Sequence, residues 1–406
     1  MSARFQMQVI QTRRPQEIAE LMRQIKVDPY GIKIMLPKAT ACLLRINSVS
    51  NITANILKQE MLSLGGDVAV ARGALTGRTK KTDCLLIGNP AQFIRLDEKL
   101  KRQPFGLSEI AKQIRLALAN YRGKASLLKA GRFRLNLGLR PHVMGILNLT
   151  PDSFSGDGFY RSSFVLHPSS IVDSVQGMIE EGADIIDIGG ESTRPGAKRI
   201  SVKEEIARTI PVIKKLAKRA KVPISIDTYK PEVAKQALES GASIINDISG
   251  LRNPRMAKIT ASHKAALVIM HMKGTPGTMQ RNPVYADLIG EITNFLGRAV
   301  RRAEAAGVNS DSIMIDPGIG FGKTLEHNLE IIRRLREFKV LGKPVLIGVS
   351  RKSFLGRIIN SEPGGRINAT LAASLLAVEN GADIVRVHDL RQVKEALKVQ
   401  AAIAKR

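Results

Sequence analysis

The chain has 406 residues, 44% of them hydrophobic, and a formal net charge of +27. This length exceeds what a single hydrophobic core usually fills, so we expect two domains, the larger one long enough for a complete barrel. No stretch approaches the apolar length of a transmembrane helix, and the first residues lack the apolar segment of a secretory signal. We therefore expect a cytoplasmic protein with no membrane-spanning segment.

The positive charge is concentrated in residues 1–140, which hold 25 basic and 9 acidic residues. Eight cations and no acid lie between Lys112 and Arg140. Such a segment can bind polyanions, or it can be a solvated basic linker. We favour the linker and expect no nucleic-acid partner, because the segment lacks the aromatic interleaving that stacks on bases.

The sequence pattern of residues 1–138 predicts a small α+β domain followed by a linker. The predicted helices are Pro15–Gln24, a helix that begins at a cap on Asn51 or Thr53 and ends at Leu64, and Leu107–Tyr121; the predicted strands are residues 42–46, 68–71 and 83–87. Cys42 and Cys84 fall in apolar strands and are predicted to be buried free thiols. No catalytic constellation is recognisable here.

Residues 139–406 predict eight alternating strands and helices. The strands are placed at residues 143–147, 184–188, 223–227, 243–246, 266–270, 312–315, 345–348 and 383–387. Each is a short apolar run followed by a segment with helical periodicity. Eight such units predict an α/β protein of the (β/α)8, or TIM-barrel, class rather than an open sheet.

Polar and ionisable residues recur at the C-terminal ends of these strands. They are Asn148, Thr193, Arg194, Asp227, Asn246, His271, Asp316, Ser350, Lys352, Arg386 and His388. A barrel collects such positions on one rim, where a ligand contacts residues from many strands. The sequence therefore predicts a single site at this rim.

The rim residues divide into two chemical groups. Asp227, Asn246 and Asp316 suit the edge of a flat heterocycle that carries N–H groups and ring nitrogens. Donors and cations suited to a phosphate or diphosphate form the other group, which consists of Asn148, Thr193, Arg194, Arg386 and His388. The predicted ligand has a heteroaromatic end and an anionic end.

Each residue also has a simpler interpretation. Asp227 can cap the helix that begins near Pro231, and Asn246 with Asp247 can order a turn. His271 is more typical of loop ordering than of metal binding, and no Cys or His cluster has zinc spacing. The binding site is therefore indicated by the convergence of these residues on one rim and not by any single residue.

Eight motifs in order resemble the dihydropteroate synthase family. They read MGILNLTPDSFSGDG, DIGGESTRPGA, SIDTYKPEVA, INDISG, VIMHMKGTPGTMQ, IDPGIGFGKT, GVSRKSFLG and RVHD. The resemblance covers residues 142–400, and the N-terminal extension is similar to that of longer archaeal members. It implies a transferase of folate biosynthesis that condenses 6-hydroxymethyl-7,8-dihydropterin diphosphate with p-aminobenzoate or a related arylamine and releases diphosphate.

The resemblance also implies residue roles. Asp227, Asn246, Asp316 and Lys352 would bind the pterin; Asn148, Thr193, Arg194, Arg386 and His388 the diphosphate; and Pro195, Phe321, Ser350 and Lys352 the arylamine. Asn148 would bind Mg²⁺, the implied cofactor, and the catalytic set would be Lys352, Asp227, Asp316, Arg386 and His388. A homodimer is implied as well, whereas Asp157 is shifted by one residue from the family pattern and has no assigned role.

Two other functions fit parts of the sequence. A methyltransferase that moves a methyl group from a reduced pterin to a corrinoid protein would share Asp227, Asn246 and Asp316. It would not need the diphosphate-binding cations near Arg194 and Arg386, so the synthase is favoured. The second alternative is a nucleic-acid-binding protein with a vestigial barrel.

Overall fold

The computed structural model describes residues 8–10, 12, 15–123, 127–150, 168–192 and 198–404. The chain divides into two compact units, residues 1–119 and residues 120–406. In the described part of the chain, no helix is both long enough and apolar enough to cross a membrane.

The first unit packs helices around a three-stranded antiparallel sheet. Its helices are α1 (Pro15–Gln24), α2 (Pro29–Met35), α3 (Asn51–Ser63), α4 (Arg72–Leu75), α5 (Pro90–Leu100) and α6 (Leu107–Arg122), which runs past the unit's end. The strands are β1 (Cys42–Ser50), β2 (Asp67–Val70) and β3 (Lys81–Gly88), in the order β1-β3-β2. A core that includes Leu57, Leu86 and Phe93 holds these elements together.

Side-chain hydrogen bonds cap the N-termini of α3 and α5. Asn89 and Gln92 form a capping box at the start of α5, which also has Pro90 in its first turn. The prediction of a cap at Asn51 or Thr53 is wrong by a few residues, because the Ser50 hydroxyl accepts the Thr53 N–H at 3.1 Å. A serine at the cap position has a non-helical backbone, and its hydroxyl oxygen can accept a hydrogen bond from a backbone N–H of the first turn.

Both cysteines are free thiols, as predicted, but only Cys84 is fully buried. Burial raises the pKa of Cys84 to about 11, so its thiol is protonated and weakly reactive at neutral pH. Cys42 is half-buried.

The second unit is a parallel eight-stranded barrel. Its strands are β6 (His142–Asn148), β7 (Ile185–Gly189), β8 (Ile224–Asp227), β9 (Ile244–Asp247), β10 (Ala266–Met270), β11 (Ile313–Asp316), β12 (Leu346–Ile347) and β13 (Ile384–Val387). Neighbours pair in the order β11-β10-β9-β8-β7-β6-β13-β12, and a parallel bridge between Ile315 and Val345 joins the two ends. All eight predicted strands and the (β/α)8 class are confirmed.

Helices surround the barrel. They are α7 (Pro168–Glu180), α8 (Val202–Ala217), α9 (Pro231–Glu239), α10 (Arg255–Ser262), α11 (Leu288–Ala305), α12 (Leu325–Arg333), α13 (Ser353–Ile359), α14 (Ile367–Glu379) and α15 (Leu390–Ile403). Alternate strand residues such as Ile186, Ile226 and Ile315 pack against these helices in the larger apolar core.

The residues between them face the barrel interior. Toward the N-terminal ends of the strands they are apolar, including Met144, Ile185, Ile244 and Met314. Two residues further along the same strands, the period of two brings polar groups to the same face. The strand pattern therefore lines the upper interior with Asp187, Asn246, Asp316 and Arg386.

A hairpin that the sequence analysis did not predict covers the lower interior. Its strands are β4 (Leu127–Ala130) and β5 (Phe133–Asn136). Leu128 and Ala130 belong to the apolar cluster inside the barrel, and the Lys129 ammonium lies 2.7 Å from the Asp311 carboxylate. The hairpin closes the end of the barrel opposite the polar rim.

Candidate active site

A cavity of about 270 Å³ opens at the polar rim of the barrel. It is lined by seven of the predicted site residues, namely Asn148, Asp227, Phe321, Ser350, Lys352, Arg386 and His388. Asn246 and Asp316 are buried in the interior-facing positions of β9 and β11. Thr193, Arg194, Pro195 and Asp157 lie outside the described residues.

A buried charge network joins four of the strands that form this cavity. The Arg386 guanidinium donates to Asp187 Oδ2 at 2.6 Å through Nε and to Asp227 Oδ2 at 2.8 Å through Nη2. The Asn246 amide donates to Asp187 Oδ2 at 3.1 Å. One carboxylate therefore holds both a predicted phosphate-binding arginine and a predicted pterin-binding amide.

Asp187 lies inside a strand, and the pattern of polar strand ends did not predict it. It is fully buried and lies two residues before the end of β7. Its position shares the parity of Ile185, which faces the barrel interior. An acid at an interior-facing position of a predicted barrel strand was the signal that would have identified it.

Within the described part of the chain, one oxygen of the Asp227 carboxylate is paired and the other is not. Its Oδ2 accepts from Arg386, whereas its Oδ1 is buried and has no hydrogen-bond partner among the described residues. Burial is the main cause that raises the pKa of Asp227; the Arg386 charge opposes this effect, and Asp187 adds to it. A buried acceptor without a donor costs free energy, so it favours binding of an N–H group.

The simpler interpretation is wrong for Asp227, whereas the turn predicted at Asn246 and Asp247 is ordered by Asp247 alone. Lys230, not Asp227, occupies the cap position of α9. Asp247 orders the turn after β9 by accepting the Ser249 and Leu251 amides at 2.8 and 2.9 Å. Asn246 is thereby left to face the interior.

The second predicted carboxylate, Asp316, is held by the turn that follows β11. Its Oδ1 accepts the Gly318 N–H at 2.7 Å. Burial raises the pKa of Asp316 to about 6, although the Gly318 hydrogen bond and the charges of Lys352 and Lys323 oppose this rise. At neutral pH the group is therefore largely an anionic acceptor, buried at the C-terminal end of β11.

The turn after β11 also contributes Phe321 to a cation–aromatic pair. The Lys352 ammonium lies 4.3 Å from the centre of the Phe321 ring, close enough for a cation–π interaction. Gly320 approaches the stem of Lys352, and a Cβ on this glycine would lie 3.5 Å from Lys352 Cδ. Lys352 and Phe321 thus form one wall of the cavity.

Residues after β12 and β13 form another part of the rim. Ser350 Oγ lies 3.0 Å from His388 Nδ1 and accepts the His388 N–H at 3.2 Å. Arg351, between Ser350 and Lys352, donates to both oxygens of Asp389, at 2.7 and 3.2 Å. Of the two adjacent cations, Arg351 therefore has a structural ion pair, while Lys352 lies against Phe321.

A second cluster of charges lies behind Glu191, which also lines the cavity. The Lys230 ammonium contacts Glu191 at 2.5 Å and Glu205 at 2.7 Å, and it donates to the Ile200 carbonyl at 2.8 Å. The Tyr229 hydroxyl donates to the other Glu191 oxygen at 2.9 Å. This cluster fixes Glu191 at the cavity wall, and the sequence analysis did not identify it.

The donor set limits the kind of metal that the site can hold. The described residues contain no group of three or more His, Cys, Asp or Glu side chains placed to bind a metal. Asn148, in the cavity wall, offers one neutral oxygen. This fits Mg²⁺, which often binds one or two protein oxygens and completes its shell with water and substrate phosphate.

The chain resembles known pterin enzymes in sequence and structure. A family model described as pterin binding enzyme matches residues 144–388. The dihydropteroate synthase of Synechocystis sp. is 47% identical over 278 residues, which cover 68% of this chain and 94% of that relative. The solved structure of the Xanthomonas albilineans dihydropteroate synthase with 4-aminobenzoic acid superposes with a TM-score of 0.63 at 41% identity and covers 69% of this chain and 99% of the other.

One longer relative also matches the N-terminal unit. It is a probable bifunctional folylpolyglutamate synthase/dihydropteroate synthase of Halobacterium salinarum, 40% identical over 383 residues. The match covers 94% of this chain but 45% of that relative, so the chain spans less than half of it. With the rim geometry and the family match taken together, the chain belongs to the pterin-binding enzyme family and, within it, to the dihydropteroate synthases.

Proposed function

We propose that this barrel condenses 6-hydroxymethyl-7,8-dihydropterin diphosphate with p-aminobenzoate and releases diphosphate. The observation that carries the proposal is the buried Asp227 Oδ1, which has no partner among the described residues and lies beside a cationic arginine in the cavity. It provides an acceptor for a heterocycle next to a donor for a phosphate. A ligand that matches both groups has a heterocycle with N–H donors close to a phosphate.

The pterin would lie against the buried acids. Asp227 and Asp316 would accept N–H groups of the ring, and Asn246 would both donate and accept. Lys352 would donate to the ring from the wall that it shares with Phe321. Because these groups come from β8, β9 and β11 and the loop after β12, they are placed before substrate binds and need little reorganisation.

The diphosphate would lie toward β6 and β13. Arg386 and His388 would stabilise the negative charge that develops as the C–O bond breaks, and Thr193 and Arg194 are proposed to assist. Mg²⁺ on Asn148 would supply additional charge neutralisation when bound. In their ionised forms, Asp227 and Asp316 would stabilise positive charge that develops on the ring.

The arylamine would enter beside Phe321, Ser350, Lys352 and Pro195. Its nitrogen forms the new C–N bond and gives up one proton, while the electron pair of the broken C–O bond leaves with diphosphate. Whether p-aminobenzoate or a ribosylated arylamine phosphate is the preferred amine is decided by competing the two in one assay.

The function is tested by mixing the pterin diphosphate, p-aminobenzoate and Mg²⁺ and following diphosphate release. We expect release that requires both substrates, and strong losses in D227N, D316N and K352A. The matched control is E239Q, which neutralises an exposed carboxylate on α9 and should leave turnover unchanged. If neither amine supports release by the wild-type protein, the proposal is wrong.

We also propose a homodimer formed through α14 and α15. These neighbouring helices leave Leu376, Val399 and Ile403 exposed, at 58%, 59% and 80%, and an exposed apolar patch of this kind is typical of a protein–protein contact. Sedimentation of the wild-type protein and of L376E/V399E tests this proposal. A wild-type protein that sediments as a monomer would contradict it.

A further inference from the structure

Lys323, in the segment after β11, has no part in the roles proposed above. It is a buried residue with only 3% of its surface exposed. Its Nζ donates to the Phe321 carbonyl at 3.0 Å and to the His271 carbonyl at 3.4 Å, and it lies 3.0 Å from His271 Nδ1. A fully buried lysine directly behind a ligand cavity requires a physical reason.

The contacts around Lys323 can satisfy its charged form. An ammonium has three N–H groups and no acceptor, and two carbonyl oxygens and His271 Nδ1 lie around Lys323 Nζ. Each N–H then has a partner when His271 is neutral with its proton on Nε2, and burial and Lys323 both strongly lower the pKa of His271.

A buried cation needs an anion, and Asp316 at the end of β11 supplies one. The His271 N–H donates to the Asp316 carbonyl at 2.9 Å, so Lys323 and Asp316 contact the same residue. Burial lowers the pKa of Lys323 to about 7, and the charge of Asp316 opposes this effect. In turn, the charge of Lys323 helps to limit the rise in the pKa of Asp316.

Other charged or titratable groups surround this pair from each neighbouring element. They are Arg252 after β9, Lys273 after β10, Tyr285 before α11, Lys352 after β12 and Arg386 in β13. Glu291 lies 3.6 Å from Lys273, and Asp316 is the carboxylate whose charge acts on Lys323. Loss of the Lys323 charge would thus act on Asp316 and on His271.

Lys323 also holds the turn that carries Phe321. Three side chains donate to successive carbonyls of this turn. Gln280 donates to Gly320 O at 2.8 Å, Lys323 to Phe321 O at 3.0 Å, and Tyr285 to Gly322 O at 2.8 Å. The middle contact lies on the residue that stacks with Lys352.

We propose that Lys323 is a positioning residue for both substrates: its buried ammonium keeps Asp316 an anionic acceptor for the pterin, and its hydrogen bond to Phe321 fixes the arylamine wall. This inference rests on the proposed function. It assigns a role to a residue that contacts neither substrate.

The decisive readout is the pH dependence of pterin binding, measured by calorimetry with 6-hydroxymethylpterin between pH ~5 and ~7.5. Wild-type affinity should fall as the pH drops through about 7, where Asp227 takes up a proton, and again through about 6, where Asp316 does. The acid midpoint that is compared between variants is the lower of the two. K323M should bind ~10-fold more weakly at pH 7, and its acid midpoint should rise by ~1 pH unit, because Asp316 loses its counter-charge. K323Q should show the same shift but a smaller rise in arylamine KM, because its amide can still donate to Phe321 O.

The control is K343M, which removes another buried lysine of the same unit. Lys343 contacts Glu304 and Ser310, and neither residue lines the cavity. K343M should lower the melting temperature without moving the acid midpoint. A uniform loss of affinity in K323M and K323Q at every pH, with an unmoved midpoint, would show a merely structural role and overturn the inference.

A second measurement avoids dependence on the folding of K323M. Lysine side-chain NMR should show Lys323 titrating at a lower pH in D316N than in the wild-type protein, because coupling between two charges is reciprocal. An unchanged titration in D316N would overturn the inference. If wild-type protein binds no pterin at any pH, the proposed function fails instead, so the two failures are distinguishable.

Discussion

At the scale of single residues, Asp187 controls the placement of Arg386. It accepts from Arg386 and from Asn246, although it does not line the cavity. A buried ion pair of this kind contributes little net stability by itself, but removing one partner leaves the other charge uncompensated. We therefore expect Asp187 to affect substrate binding through the residues that it holds.

We expect D187N to lower kcat/KM for the pterin diphosphate by ~100-fold, because small displacements of a charge-stabilising group have effects on this order. Steady-state kinetics with each substrate varied in turn measures the loss. The matched control is S225A, because Ser225 pairs in register with Asp187, is fully buried and has no hydrogen-bond partner for its hydroxyl among the described residues. Equal activity in D187N and S225A would mean that Arg386 is held without Asp187.

At the scale of elements, the turn after β11 depends on a glycine at Gly318. Its φ is +74°, and a Cβ at this position would lie 1.9 Å from the His271 carbonyl oxygen. L-residues with side chains rarely adopt this conformation, and backbone atoms cannot move aside cheaply. The glycine lets the turn after β11 lie directly against the His271 backbone.

G318A should therefore lower the free energy of unfolding by more than ~2 kcal/mol and abolish pterin binding. Urea denaturation and calorimetry measure the two effects. G177A is the control, because Gly177 lies in α7 with nothing within 4 Å of the added Cβ, and alanine favours a helix. A G318A protein as stable as G177A would contradict the steric argument.

A second element-scale feature is Asp184, which joins three segments at the lower end of the barrel. It accepts from the Val143 amide at 2.8 Å, from Lys394 on α15 at 2.8 Å and from both Arg140 nitrogens at 2.5 and 2.9 Å. Burial by itself would raise the pKa of Asp184, but these hydrogen bonds outweigh it and lower the pKa to about 2.

Because the folded-state pKa lies below the ordinary value of 3.8, ionised Asp184 stabilises the fold above that pH. This stabilisation is lost as the pH falls toward about 2. D184N should thus cost about 2 kcal/mol near neutral pH and much less in strong acid. Urea denaturation over a pH series tests this. D311N, which removes a half-exposed partner of Lys129, should change little at any pH.

At the scale of the whole molecule, the described candidate site residues all lie between Asn148 and His388, within the second unit. The proposed domain boundary at residues 138/139 separates this barrel from the β4–β5 hairpin, whereas the second compact unit begins at residue 120. The hairpin covers the apolar lower interior. The two boundaries therefore differ in whether the β4–β5 hairpin belongs to the barrel domain.

We expect a chain of residues 120–406 to fold and to retain kcat within ~3-fold of the full protein, since the site would be intact. A chain of residues 139–406 should melt at a lower temperature or aggregate, because it exposes the interior cluster that Leu128 and Ala130 cover. Thermal melting and steady-state assays compare the two chains. Equal stability of the two would support the boundary at residues 138/139.

The sequence by itself determined the barrel and most of its rim. Short apolar strands, each ended by a polar residue, predicted all eight barrel strands, because period-two burial and helical periodicity are local properties of the chain. Asp227, Asn246, Asp316, Lys352 and His388 followed from strand ends, because parallel strands bring their C-terminal ends to one rim.

The buried groups that support the rim residues were determined only by the tertiary structure. Asp187 and Lys323 contact partners that are distant in sequence, Arg386 and His271, and the β4–β5 hairpin is defined by the barrel interior that it covers. Ser50 rather than Asn51 or Thr53 caps α3, which depends on backbone geometry that several neighbouring residues could have provided. Burial, pairing and pKa depend on which groups meet in space, and this is fixed by packing rather than by local pattern.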